Sequence, residues 1–282
     1  MNSILYSKDL ISILEEGLFY PGIGIEEAYK QLDEYRARQR MEVDFVISKF
    51  ELNSPFRGQV TLDSPTTTHA IDLPIYLRND FAELRLMVLA MDSLPPEPES
   101  IHWQKREINL QTEICFWAPF SLIDDWNHPV GSMKSNLSFF KPLVSQFSVY
   151  VTDIYKLFYR KIEAHGYVLS NQISSYTHLE DKVHFEILNR EIDLVKPTAI
   201  IVLGKAALEA LSTNLLPNKG LIFPEYQITN FPCRVLALPH ISGAANGAKS
   251  KFVKRPEFDF IQADSWNGKL ALMALHQLGF WL

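Results

Sequence analysis

The chain has 282 residues, 47% hydrophobic and 21% charged, with a formal net charge of −6. These values lie near globular averages, so they exclude a disordered or fibrous chain and leave room for one large α/β domain with an extension. The acidic balance gives no broad basic footprint of the kind that phosphate binding usually leaves, so any nucleic-acid contact has to come from a local patch.

The N-terminal stretch "MNSILYSKDLISILEEG" carries Asp9, Glu15 and Glu16 through its apolar part and lacks a basic n-region, so it does not read as a signal peptide. No apolar run approaches the roughly 18 residues that a bilayer span requires, and the expected location is the cytoplasm. "IEEAYKQLDEYRARQRMEVDFVISKF" is charged and helix-favouring after Tyr20-Pro21-Gly22, and the Pro-, Ser- and Thr-rich run from Asn53 to Pro74 reads as a surface hairpin or loop. Residues 1–80 are therefore expected to form a helical and loop extension, and residues 81–282 the main domain.

Beyond residue 84, "LRLMVLAM" (84–91), "FSVYVTDI" (147–154), "TAIIVLG" (198–204) and "CRVLALP" (233–239) are short, continuously apolar runs. Such runs suit strands buried on both faces of a parallel sheet. Helical segments lie between them, notably "EDKVHFEILNREIDLVKP" and "KAALEALSTNL". The expected fold is a three-layer α/β/α domain around a central four-stranded, mainly parallel sheet. In open sheets of this kind ligands bind outside the strand carboxyl ends, which directs attention to Asp92, Asp153, Gly204-Lys205 and His240-Ile241-Ser242.

Each of these polar residues has a structural and a functional reading. Asp92 reads as a turn starter before Ser93-Leu94-Pro95-Pro96 or as a functional carboxylate. Asp153 reads as a helix N-cap before "IYKLFYR" or as a ligand-facing group. His240 reads as a satisfied core histidine or as a ligand donor; the small-residue loop after it, with Ser242 and Gly243, would let backbone N–H groups approach an anion. Lys249, Lys251, Lys254 and Arg255 form a basic cluster that reads as a solvated face or a phosphate site. The two cysteines, Cys115 and Cys233, form no CxxC pair and read as inert buried thiols. There is no GxSxG, GxxxxGK[ST] or HExxH, and His178 and His184 lack ligand spacing on a helix, so neither a metal nor a cofactor is expected.

Taken in order, these pieces resemble the uracil-DNA glycosylase superfamily over roughly residues 84–282, as a divergent member lacking the iron–sulfur cysteines. "EIDLVKPTAIIVLGKAALEAL" looks like the family's helix, Pro turn, strand and following helix. Ala90-Met91-Asp92-Ser93-Leu94 lines up with the first motif, GQDPY or GMNPG. "WAPFS" (117–121) resembles the VPFG or AFSV segment, "VYVTDIYK" resembles VYITNVVK with Asp153 in the place of the asparagine, and "LPHISGAAN" resembles the HPSPLS, HPSPRN or HPS second motif.

The resemblance implies a monofunctional DNA glycosylase that hydrolyses the N-glycosidic bond of an extruded, deaminated or damaged base. It implies catalytic roles for Asp92, at the sugar and water, and His240, at the base O2. Base contacts would come from Met91, Leu94, Phe120 and Asp153, with Phe120 stacking. Phosphate contacts would come from Ser242, Gly243, Asn246, Lys249, Lys251, Lys254 and Arg255. An ionised Asp153 accepts hydrogen bonds but donates none, which leaves the preferred base open. Ala244 and Ala245 stand where relatives carry a wedge, which turns the expected partner toward single-stranded or damaged DNA, bound by a monomer. The competing readings are a catalytically inactive nucleic-acid or nucleotide-binding module on the same fold and a different small-molecule hydrolase using Asp92 and His240.

Overall fold

The computed structural model describes residues 8–18, 25–26, 29–30, 66–77, 79–92, 115–117, 119–122, 131–163, 166–169, 177–214, 226–227 and 233–280. The four apolar runs form strands displaced by at most a residue from their expected bounds: β3 (Arg85–Asp92), β5 (Ser148–Tyr155), β8 (Ala199–Leu203) and β10 (Arg234–Leu238). All four are parallel, in the order β5-β3-β8-β10, and their side chains are almost wholly buried. Two short antiparallel edge strands, β2 (Ile75–Leu77) on β5 and β9 (Tyr226–Gln227) on β10, bring the sheet to six strands instead of the expected four. Segments of three and two residues are too short to show a periodic pattern, which is why only the central four stand out in the sequence.

Helices follow the strands as the crossover rule requires. The chain moves from β3 to β5 through α2 (Gly131–Gln146), then crosses to β8 through α3 (Thr177–Val195) and to β10 through α4 (Lys205–Asn214). Right-handed crossovers in opposite directions put α2 on one face and α3 with α4 on the other. Near the N-terminus, α1 (Lys8–Leu18) packs on α3, where Arg190 meets Glu16 at 2.9 Å. After β10, α5 (Asn246–Val253) leads to α6 (Trp266–Gln277), which packs on α2. The reversal of direction at β3 creates a switch point between β3 and β8, where open α/β sheets place their ligands. Among the described residues no helix is long and apolar enough to cross a membrane.

Two sequence readings change here. "LFYRKIE" is strand β6 (Leu157–Glu163), not a helix, so the N-cap reading of Asp153 falls away; Phe158, Tyr159 and Ile162 favour a pleated surface. Thr66–Asp72, within the run read as a surface hairpin or loop, is strand β1, paired with distant strands and not within a local hairpin. With β4 (Cys115–Trp117) and β7 (Gly166–Leu169), these strands build a second sheet in the order β4-β1-β6-β7.

The two sheets share a continuous ribbon. β1 runs into β2 and β5 runs into β6, separated in the latter case by Lys156 alone. Ile71 pairs with Leu157 and Ile75 with Val151, so three residues of one strand face five of the other. The surplus is a bulge at residues 152–156, and bulges of this kind re-aim side chains beside functional sites. The bulge is held from inside: Lys156 Nζ donates to the Asp153 carbonyl at 2.6 Å and to Thr152 Oγ1, and pairs with Glu191 of α3 at 2.8 Å, with both side chains fully buried. Tyr150 and Thr152 donate to Glu191 Oε1 at 2.8 and 3.3 Å, and the Lys156 backbone N–H donates to His184 Nδ1 at 3.2 Å.

A buried ion pair is costly to break by halves and cheap to replace as a whole. Glu191→Leu alone should therefore destabilise the protein by about 3–5 kcal/mol, because it strands the Lys156 ammonium. Lys156→Met combined with Glu191→Leu should recover most of that loss. Urea unfolding of the two variants checks the ordering, and equal losses in both would contradict it.

Candidate active site at the strand carboxyl ends

His240 leaves β10 half-buried, and its ring lies over Gly204 at the end of β8. Gly204 has φ of +95°, and a Cβ there would come within 3.4 Å of His240 Cβ. The left-handed backbone is what calls for glycine here, since a Cβ would make only ordinary van der Waals contact with His240. The histidine is oriented by its own loop. The Ser242 backbone N–H donates to Nδ1 at 3.1 Å, and Ser242 Oγ lies 2.8 Å from the same nitrogen.

A backbone N–H has no acceptor capacity, so Nδ1 must present its lone pair. The ring proton then sits on Nε2, which becomes a donor. Burial, reinforced by the Lys249 charge, lowers the proton affinity of His240 below that of an ordinary histidine and keeps the ring neutral. The result is a neutral imidazole with one defined N–H.

Phe120 stands beside it. The two rings are 5.7 Å apart at 35°, and Phe120 also packs on Phe140 of α2 at 5.4 Å. Phe120 adopts φ of 56° and ψ of 19°, a left-handed conformation that a bulky side chain rarely takes. Asn136 of α2 helps to hold it by donating Nδ2 to the Phe120 carbonyl at 3.0 Å. Backbone strain of this kind persists only where the surroundings over-determine it, and it clusters at functional sites.

Asp153 is 2% exposed, one residue into the bulge, and pairs in register with Ala90 of β3. The turn carrying Phe120 packs against β5, so Phe120, His240 and the end of β5 meet at the same edge of the sheet. Asp92 is the last residue of β3, opposite Tyr155, and the backbone places it at that edge; its side chain lies outside the described residues, as do Ser93 and Leu94. Met91 is half-buried against the core.

The expected phosphate cluster divides. Gly243, Asn246, Lys251 and Lys254 are exposed, and a Cβ at Gly243 would meet open space. Arg255 lies over the Phe252 ring at 4.5 Å. Lys249 instead points inward, with 3% of its surface exposed, and Nζ donates to the Ile241 carbonyl at 2.9 Å and to Asn267 Oδ1 at 3.0 Å. A run of charged residues in the sequence does not distinguish a lysine that folds back from those that face water. Ser242, read from the sequence as a phosphate ligand, is committed to His240 through its N–H. Asn136 and Asn267 were not singled out by sequence reasoning, since a lone asparagine in a helix carries no motif. Cys233 is buried, which pushes its thiol up to about 11.

A family model described as the Uracil DNA glycosylase superfamily matches residues 107–260. The match takes in more than half of the chain, from ahead of β4 through α5, and so includes Phe120, Asp153 and His240. No curated protein matches the chain. On that match, the chain belongs to the Uracil DNA glycosylase superfamily.

Proposed function

We propose that this protein is a monofunctional DNA glycosylase that hydrolyses the N-glycosidic bond of an extruded, deaminated or damaged base. The observation that carries this reading is the neutral His240 with its single N–H on Nε2, set beside the Phe120 ring. Extrusion costs a few kcal/mol of unstacking and unpairing, and stacking on an aromatic ring returns about 1–3 kcal/mol of it. Cleavage then leaves positive charge on the sugar and negative charge on the departing base.

In this reading His240 Nε2–H donates to the base oxygen on which the negative charge develops. A neutral donor suits that role, because it gives a hydrogen bond that strengthens as the anion forms, and its geometry is prepared beforehand. Asp92, at the end of β3, stabilises the sugar cation and orients the attacking water. Asp153 reads the edge of the base, with Met91 and Leu94 in the pocket wall. Gly243, Asn246, Lys251, Lys254 and Arg255 face the flanking phosphates, while Ser242 orients His240. Lys249 is left out of that set because its ammonium is engaged inside the protein. The small exposed Ala244 beside half-buried Ala245 supplies no bulk to fill a gap in a duplex, which favours single-stranded or already damaged DNA. The protein acts as a cytoplasmic monomer without a cofactor.

Incubation with single- and double-stranded oligonucleotides containing uracil, hypoxanthine, xanthine or cytosine should yield alkali-labile abasic sites with at least one base. His240→Ala should lower kcat about 100- to 1000-fold, the loss typical of one oxyanion donor, and Asp92→Ala should reduce turnover far more than DNA binding. DNA binding without abasic sites would favour the inactive binding module instead. Asp153→Asn should change the order of preference among the bases, whereas an unchanged order would remove Asp153 from base reading.

The acid side of the pH profile is a separate check. Protonation of His240 would place an Nδ1–H against the Ser242 N–H and abolish the neutral donor. Its folded pKa lies below the ordinary value of 6.5, so activity should be level from neutrality upward and fall only below about 6.5. In the same acid range the unfolded chain takes up the proton first, so this histidine's contribution to stability also declines as pH falls. An acid limb of kcat/KM at or above 6.5 would contradict a neutral, buried donor.

A further inference from the structure

Lys249 is a buried cation whose described partners are uncharged: a backbone carbonyl and an amide oxygen. Burying an ammonium in such company is unfavourable unless the site gains from it. Its first partner is the carbonyl of Ile241, the residue between His240 and Ser242. The same carbonyl accepts a second hydrogen bond, at 3.0 Å, from Asn267 Nδ2 of α6. Asn267, 2% exposed, also has Nδ2 at 3.0 Å from the Ser135 carbonyl and 2.9 Å from Ser135 Oγ on α2, while its Oδ1 accepts from Lys249. One carbonyl in the His240 loop is thus tied to α5, α6 and α2 through two buried side chains.

We propose that Lys249 and Asn267 form an internal clamp that positions His240, holding the Ile241 carbonyl so that the Ser242 N–H meets Nδ1 and the ring proton is fixed on Nε2. The clamp acts through the backbone and touches neither base nor phosphate. The Ile241 carbonyl and the Ser242 N–H share one planar peptide unit, so holding Ile241 O also fixes the direction in which the Ser242 N–H points at Nδ1. Gly204 under the ring limits its remaining freedom. The charge of Lys249 adds to the effect, since it opposes protonation of His240. What the oriented N–H serves rests on the glycosylase reading; the clamp itself is a property of the free protein.

The test uses the full chain labelled with 15N-histidine at pH 7.5, with the His240 signals identified by their loss in His240→Gln. The wild type should show an unprotonated, hydrogen-bond-accepting Nδ1 and a protonated Nε2. Lys249→Met and Asn267→Leu should move both signals toward the averaged values of a mobile, mixed-tautomer imidazole. Lys249→Gln, which keeps a donor, should retain most of the single-tautomer pattern and also serves if the methionine variant does not fold. With a cleavable oligonucleotide, kcat in the methionine and leucine variants should fall about 10- to 100-fold through misplacement of the donor, with little change in KM. Wild-type imidazole signals in folded Lys249→Met and Asn267→Leu would overturn the clamp. So would a Lys249→Gln protein with wild-type signals, raised KM and a shallower salt dependence, since that marks a phosphate contact. If no oligonucleotide is cleaved, the glycosylase reading fails, while the imidazole signals still decide the clamp.

Discussion

The hydrogen bond from the Ser242 N–H to His240 Nδ1 is the interaction on which the site depends. A histidine in a protein has two neutral tautomers and a charged form, and near neutral pH small influences choose among them. Here the choice is made by a backbone donor that cannot reverse its role. Burial and a nearby ammonium then disfavour the charged form. A side chain with several states thereby becomes a fixed dipole with its one N–H on Nε2.

The fold places that dipole where open α/β sheets bind their ligands. β3, β5, β8 and β10 end together, and the reversal of chain direction at β3 sets a switch point between β3 and β8. Gly204 provides the floor for the imidazole, the strained turn at Phe120 provides a ring beside it, and the bulge in the β5–β6 ribbon locates Asp153. Several of these features oppose stability taken alone: a left-handed phenylalanine, a buried Lys156–Glu191 pair and a buried Lys249. They lie close in sequence or space to the residues proposed to handle the base. A scaffold optimised for stability alone would have replaced the buried charged side chains with apolar ones and relaxed the turn at Phe120.

The central architecture was legible in the sequence because buried parallel strands are continuous apolar runs, and the four runs appear as β3, β5, β8 and β10. The position of His240 was legible for the same reason, since it follows such a run directly. The second sheet was not. β4 has three residues, and "LFYRKIE" follows Asp153 in a way that imitates a capped helix. Pairing with β1, almost ninety residues earlier, decides the conformation of β6, and local propensity carries no trace of that partner. The roles of Lys249 and Ser242 were hidden differently. Charge in a sequence reads as surface, and only the folded chain shows Lys249 turned onto Ile241 and Ser242 turned onto His240.

In the proposed function an extruded base lies at the strand carboxyl ends, between Phe120 and the Nε2–H of His240. A complex with an oligonucleotide carrying a 2′-fluorinated nucleotide tests this most directly, because the electron-withdrawing fluorine opposes the oxocarbenium-like sugar and preserves the intact substrate. In the crystal structure of that complex the base should be out of the stack, against the Phe120 ring, with an exocyclic oxygen within hydrogen-bond distance of His240 Nε2. DNA bound with every base still stacked, or seated away from the carboxyl ends of β3 and β8, would contradict it.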